Sequence, residues 1–255
     1  MPPPSDKKVS ILIASVAYGG SVWTKHAQWL AGTNLWLHTN PGVGEVFLVD
    51  PDRAPVAAAR NEVAITALKA GADLTVMVDH DIAPAQNWLP AVLREYAKAQ
   101  QLGRSAAVWA APAICSDGRT NAADWYQTGP EPIEGALELH RYSAVEGAQK
   151  RGIVQVAAAG TGAIAIDTRV FRQVSKLWFA LEYEDDYEIG VGTGEDIYFT
   201  RSCSEQGIPV FVTWDQWAKH RKTVVLDRPT GVHPSVIPTR YREIWDAAQE
   251  AGAAS

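Results

Sequence analysis

Over its first 110 residues the chain alternates short apolar runs with stretches of helical spacing, an order that few architectures accommodate. Val9 to Ala14 is a continuous apolar run between lysines and Tyr18-Gly19-Gly20, the pattern of a strand buried on both faces. From Ser21 onward Trp23, Ala27 and Leu30 fall on one helical stripe. A second run, Glu45 to Asp50, precedes a helix from about Pro55 to Ala70, with proline in its first turn and Gly71 just past its end. Leu74 to Val78 leads into Asp79-His80-Asp81, a helix follows from about Asn87 to Gln101, and Ala106 to Ala111 supplies a fourth strand. Alternation of this kind predicts right-handed crossovers and a single α/β domain, its mostly parallel central sheet flanked by helices.

Beyond that point the rhythm breaks. Cys115 to Arg151 is rich in Gly, Pro, Thr, Asn and charge without a sustained period, which predicts an irregular, functional segment. Ile153 to Val156 and Ala163 to Ile166 read as strands flanking Gly160-Thr161-Gly162. A helix carrying Val170, Phe171, Val174 and Leu177 follows, then an acidic loop from Glu182 to Glu188. Gly194-Glu195-Asp196 opens another helix closed by Gly207, before a strand from Pro209 to Thr213 and a tail with a short helix, Tyr241 to Ala248. The expected division is a disordered segment 1–8, a domain over 9–222 and a tail over 223–255.

The formal charge of −6 carries no clustered Lys and Arg, so no footprint for nucleic acid is expected. The longest apolar run is too short to span a bilayer, and Met1 to Lys8 has no signal-peptide core; a cytoplasmic protein is expected. Cys115 and Cys203 lack metal-ligand spacing and read as reduced thiols, Cys203 facing a core. Among the ten tryptophans, Trp125 with Tyr126, Trp178 with Phe179, and Trp214 with Trp217 sit where flat rings would stack on sugars.

Asp79 and Asp81 flank one residue just after a buried strand, where open sheets bind ligands. Two carboxylates there suit Mg²⁺ or Mn²⁺, or else cap a polar turn. Arg60 falls on the buried stripe Val56, Val63, Ala67, so it requires an anion: Asp50, Asp79 or a bound diphosphate. Glu195 and Asp196 either complement the helix dipole or include a general base. His220, among Lys219, Arg221 and Lys222, is either solvent-exposed or a third metal ligand. Gly160-Thr161-Gly162 precedes a strand pattern and not a helix, so a dinucleotide fingerprint is discounted in favour of close backbone approach.

In this order the pieces resemble the GT-A glycosyltransferases, family-two-like bacterial and phage members especially. The matching stretches are Val9 to Ala17, Ala59-Arg60-Asn61 with Gly71-Ala72-Asp73, Asp79-His80-Asp81, Gly160-Thr161-Gly162-Ala163 with Asp167 and Phe171, Gly194 to Phe199, and His220. The resemblance implies that Asp79, Asp81 and His220 hold Mn²⁺ or Mg²⁺ against the diphosphate of a UDP- or GDP-linked sugar. It also implies that Asp196 is the base for a hydroxyl acceptor, with Glu195 orienting it. Ser15, Tyr18 and Asp50 would line the nucleoside pocket, Arg60 and His80 would lie near the phosphates, and Gly160, Thr161 and Gly162 would let the donor sugar approach.

The chain departs from that family after Asp50, where Pro51-Asp52-Arg53 replaces the usual serine-threonine-aspartate run. It also lacks the acceptor motif of processive synthases and any membrane span, which favours a single transfer to a soluble acceptor over polymer synthesis. The leading expectation is an inverting, metal-dependent transferase, with retention left open because retaining enzymes share the fold and the aspartate pair. Two other functions stay open: a sugar-1-phosphate nucleotidyltransferase, although Ala17 to Ser21 is no signature loop, and a non-catalytic nucleotide- or glycan-binding module.

Overall fold

The four apolar runs form neighbouring and near-neighbouring strands of one sheet. The computed structural model describes residues 8–16, 22–51, 55–115, 119–127, 137–175, 177–183 and 191–221, all within one compact unit, Met1–Arg221. Tyr18, most of the expected acidic loop and the tail helix lie outside the described residues. The chain opens with β1 (Val9–Val16), α1 (Thr24–Thr39), β2 (Val43–Val49), α2 (Val56–Ala70) and β3 (Leu74–Asp79). After the short β4 (Ile82–Ala83) come α3 (Trp88–Gln101) and β5 (Val108–Ala110). The remainder runs through β6 (Arg119–Gln127), β7 (Leu137–Ser143), α4 (Ala144–Gln149), β8 (Ile153–Val156), β9 (Ala158–Ala159), β10 (Ala163–Asp167) and α5 (Val170–Gln173). It then passes through β11 (Glu182–Tyr183), β12 (Val191–Thr193), α6 (Glu195–Glu205), β13 (Val210–Thr213) and β14 (Lys219–His220).

The main sheet has the order β2-β1-β3-β10-β5-β13-β8. β1, β2, β3, β5 and β13 share one direction, while β10 and β8 run against their neighbours. The sheet is therefore mostly parallel, as expected, with β10 inserted antiparallel beside β3. Side chains alternate across β1, so Leu12, Ala14 and Val16 pack towards Ala59, Val63 and Ala67 of α2 and Phe199 of α6. Ile11 and Ile13 pack on the opposite face with Trp29 and Leu37 of α1 and Trp88 and Leu89 of α3. Both faces are covered, which is why Ile11 to Ala14 is apolar without interruption. Gly71 ends α2 at φ 69°, the left-handed cap that glycine adopts without a Cβ penalty.

Three expectations are corrected. On α1 the buried stripe is His26, Trp29, Thr33 and Leu37, and Ala27 is exposed. Counting only apolar residues misplaced it, because His26 is buried with polar partners. Part of Cys115 to Arg151 is regular: β6 pairs antiparallel with β7 and with β9. These strands satisfy one another's backbone and owe little to apolar alternation, so periodicity does not reveal them. Finally, Trp214 and Phe179 are core residues, 1% and 2% exposed, with Phe179 against Phe199 at 4.5 Å between ring centroids. Trp178 packs on Phe171 at 5.2 Å.

Candidate functional site

The site lies where β3 ends. Asp79 is its last residue, on the same face as Met77 and hence towards α2 and α6. Its backbone N–H donates to Gly162 O at 2.8 Å, and the next residue, His80, is fastened through its N–H to Val16 O at 3.1 Å and through its carbonyl to Trp23 N at 3.1 Å. The turn that carries Asp81 is therefore held by β1, α1 and the start of β10.

Arg60 reaches this point from α2. Its side chain is 3% exposed and donates through Nη2 to Asp79 Oδ1 at 2.7 Å and through Nη1 to Glu195 Oε1. Burial works against the charged guanidinium, but Asp79 first, then Glu195 and Asp196, outweigh it and hold Arg60 above its ordinary pKa. Asp79 shows the opposite balance. Burial pushes its carboxyl up, Arg60 pulls it down, Asp81 and Asp196 push it up again, and the outcome is a pKa of about 6. Of the anions that the sequence left open for Arg60 the structure supplies Asp79, and it adds Glu195 from a separate element.

His220 is brought to Asp81 by β14, which pairs antiparallel with β4 and sets His220 opposite Ile82. Its Nε2 lies 3.3 Å from Asp81 Oδ2, and its Nδ1 lies 3.0 Å from Ile114 O. A carbonyl only accepts, so Nδ1 carries a proton, and Nε2 is the nitrogen turned towards Asp81, forming an ion pair with it when the ring carries both protons.

Asp196 stands in the first turn of α6, after the N-cap Gly194. Two glycines make room for its carboxylate. A Cβ at Gly194 would come 2.9 Å from Oδ1, and a Cβ at Gly160 would come 3.0 Å from Oδ2. The carboxylate borders a cavity of about 410 Å³, part of whose wall is formed by Asn121, Ala123, Leu139 and Arg141 of the β6–β7 hairpin. Asn121 ties that wall to the site: its carbonyl accepts from Gly160 N at 2.6 Å, and its side chain engages Ala113 N at 2.8 Å and Ala111 O at 3.0 Å.

The remaining sequence-predicted residues fall as follows. Gly162 approaches β4 so closely that a Cβ would lie 3.2 Å from Ile82 and 3.7 Å from Asp79 Oδ2. Thr161 is buried, its hydroxyl without a hydrogen-bond partner among the described residues. Asp50 is exposed at the end of β2. Ser15 faces the α1 side of the sheet, where its hydroxyl meets His26 Nε2 at 2.9 Å. His26 Nδ1 is 2.9 Å from Ile82 O, and burial lowers the pKa of this histidine. His26 and Asn121 were missed by sequence reasoning; neither belongs to a motif, and only their buried polar partners reveal them.

A divalent cation would find hard carboxylate oxygens and an imidazole nitrogen here, with Asp81 and His220 the adjacent pair and Asp79 partly committed to Arg60. The donor chemistry fits Mn²⁺ or Mg²⁺, which complete their shells with water and phosphate oxygens. Among the described residues no group of three His, Cys, Asp or Glu side chains is gathered closely enough to hold a metal by itself. Among them, too, no helix is long and apolar enough to cross a membrane.

No protein-family model and no curated protein matches the chain. Solved structures do resemble it. A197 from STIV superposes with a TM-score of 0.57 at 14% identity, over 84% of this chain and 87% of that one. GalNAc-T7 with UDP, GalNAc and Mn²⁺ gives 0.45 at 14% identity, over 86% of this chain and 44% of the other. The inositol-1-phosphate CTP transferase from T. maritima gives 0.43 at 9% identity, over 94% and 96%. The likeness to A197 is one of fold.

Proposed function

We propose that the protein is a metal-dependent GT-A-type glycosyltransferase that moves a sugar from a nucleoside-diphosphate sugar, UDP- or GDP-linked, to a hydroxyl acceptor with inversion. The observation that carries this reading is Asp196, a carboxylate held between two glycines at the rim of a ligand-sized cavity and within electrostatic reach of Asp79 and Arg60. Asp196 takes the proton of the acceptor hydroxyl as that oxygen bonds to the anomeric carbon. The bond from that carbon to the diphosphate breaks, and its electron pair leaves with the nucleoside diphosphate. Asp81 and His220, with Asp79, would hold a divalent cation, which would supply charge neutralisation for the departing diphosphate.

Arg60 serves this site from behind. Its two Nη groups hold Asp79 and Glu195, so it fixes the end of β3 against the start of α6. Gly160 lets the Asp196 carboxylate and Asn121 close on the backbone between them, and Gly162 does the same for Ile82 beside Asp79.

The test is turnover with Mn²⁺ and a panel of UDP- and GDP-sugars, read as release of nucleoside diphosphate. Release abolished by D196N and by D79A is expected, with UDP or GDP binding retained in D196N. Pyrophosphate formed from a nucleoside triphosphate and a sugar 1-phosphate would replace this reading with nucleotidyl transfer. Binding without turnover on any donor and acceptor would replace it with a non-catalytic module.

A further inference from the structure

The short segment that follows β5 is bonded along two edges, and each edge leads to one half of the site. Pro112 O accepts from Ala218 N at 2.8 Å and Ile114 O accepts from His220 Nδ1 at 3.0 Å, so one edge holds β14 and with it the Asp81–His220 pair. The other edge holds Asn121. Ala111 O accepts from Asn121 Nδ2 at 3.0 Å, Ala113 N donates to Asn121 Oδ1 at 2.8 Å, and Ala113 O accepts from Asn121 N at 3.0 Å. Asn121 passes the connection on to Gly160: its carbonyl accepts from Gly160 N at 2.6 Å, and its Nδ2 also donates to Gly160 O at 3.3 Å. Gly160 in turn backs the Asp196 carboxylate, since a Cβ there would meet Asp196 Oδ2 at 3.0 Å and Asn121 Cβ at 3.1 Å. Asp196 Oδ1 accepts from Ile197 N at 2.7 Å, so α6 holds one oxygen while the other stands on the glycine that Asn121 fixes. Asn121 is 8% exposed, and with Asp196 it lines the cavity.

We propose that Asn121 is a positioning residue: through Gly160 it sets the Asp196 carboxylate in register with the Asp81–His220 pair, which the opposite edge of the same segment holds. The proposal rests on the glycosyltransferase reading for the role of Asp196, and it adds the residue that aligns it. The side chain suits this task. A carboxamide offers an acceptor to Ala113 N and donors to the carbonyls of Ala111 and Gly160 at once. An aspartate of the same shape has acceptors only when ionised, and would turn an oxygen onto those two carbonyls. A base displaced by about 1 Å costs up to about a hundredfold in rate.

The experiment compares N121D with S204A. Ser204 Oγ donates to Ala157 O at 2.6 Å, so S204A removes a bond between α6 and the stretch leading to Gly160 without altering Gly160 itself. Two quantities are read: the side-chain carboxyl ¹³C resonance of Asp196, assigned by its loss in D196N, and the turnover of nucleotide sugars with Mn²⁺. In N121D the resonance moves and kcat falls about tenfold or more, while the Kd of UDP or GDP with Mn²⁺ stays within about twofold of wild type. In S204A the resonance and kcat stay as in wild type. N121S, which keeps a hydroxyl for Ala113 N and adds no charge, gives the same result if N121D fails to fold by circular dichroism. An Asp196 resonance unmoved in the folded variant, one moved equally in S204A, or a Kd that weakens in step with kcat overturns the proposal. If wild type and variant turn over nucleotide sugars equally, the positioning role falls and the transferase reading stands. If the wild type turns over none, the transferase reading falls, and the resonance alone decides whether Asn121 positions Asp196.

Discussion

A buried arginine with two carboxylates explains more of this site than any other single residue. Removing Arg60 leaves Asp79 and Glu195 facing each other without the cation that separates them, and breaking a buried pair in this way costs about 3–5 kcal/mol. R60M is therefore expected to lose about 3 kcal/mol of unfolding free energy in urea, and to lose less in acid, where Asp79 takes up a proton. The pKa of Asp79, about 6 against 3.8 for the free group, sets the sign of a second effect. The folded chain holds this proton more tightly than the unfolded one. The contribution is complete below the unfolded pKa and is lost as pH rises through about 6. D79N, which mimics the protonated form, should gain on the wild type as pH is raised from about 4 to about 7, measured by urea unfolding at each pH. Mn²⁺ needs the ionised carboxylate, so Mn²⁺ affinity, read by water-proton relaxation, should climb over the same range.

At the scale of elements, α6 matters because it carries Glu195 and Asp196 into place and is itself anchored from below. Thr200, fully buried, donates to Ala159 O at 2.9 Å and accepts from Ala159 N at 3.1 Å, clamping the helix to β9. T200V keeps the shape and leaves both backbone groups unpaired; a loss of about 1–3 kcal/mol is expected by thermal or urea unfolding. The glycines on either side of Asp196 predict a different outcome. An alanine at Gly160 would press on Asp196 Oδ2 at 3.0 Å and on Asn121 Cβ at 3.1 Å. On the proposed glycosyltransferase reading, G160A should lower nucleoside-diphosphate release by a larger factor than its change in stability accounts for, because a displaced Asp196 loses alignment before the fold loses packing.

For the whole molecule the informative quantity is linkage. A ligand that bridges β3, α2 and α6 stabilises the folded chain by RT ln(1 + [L]/Kd), about 2.7 kcal/mol at a hundredfold excess over Kd. On the proposed reading, UDP or GDP with Mn²⁺ should raise the melting temperature more than either component alone, and D79A should remove the synergy. His26 adds a pH term of opposite sign to that of Asp79. Its pKa is lowered by burial, so its contribution is present above the ordinary value of 6.5 and is lost as pH falls through the lowered one. The two terms limit stability from opposite sides.

The sequence by itself determined the βαβ order, the bounds of α2 and α3 within a residue or so, and the fact that Arg60 is buried. These are matters of periodicity along one element, and burial of one face imposes period on sequence directly. It did not reveal the β6–β7 hairpin, whose strands are stabilised by each other, or the stripe of α1, which turns on a buried histidine. Only the tertiary structure decided that His220 meets Asp81, that Gly160 and Gly194 frame Asp196, and that Glu195 joins Asp79 on Arg60. Such meetings depend on the order in which strands are laid into the sheet, here with β10 between β3 and β5 and β14 beside β4. That order is an energetic choice of the whole chain, and no local pattern records it.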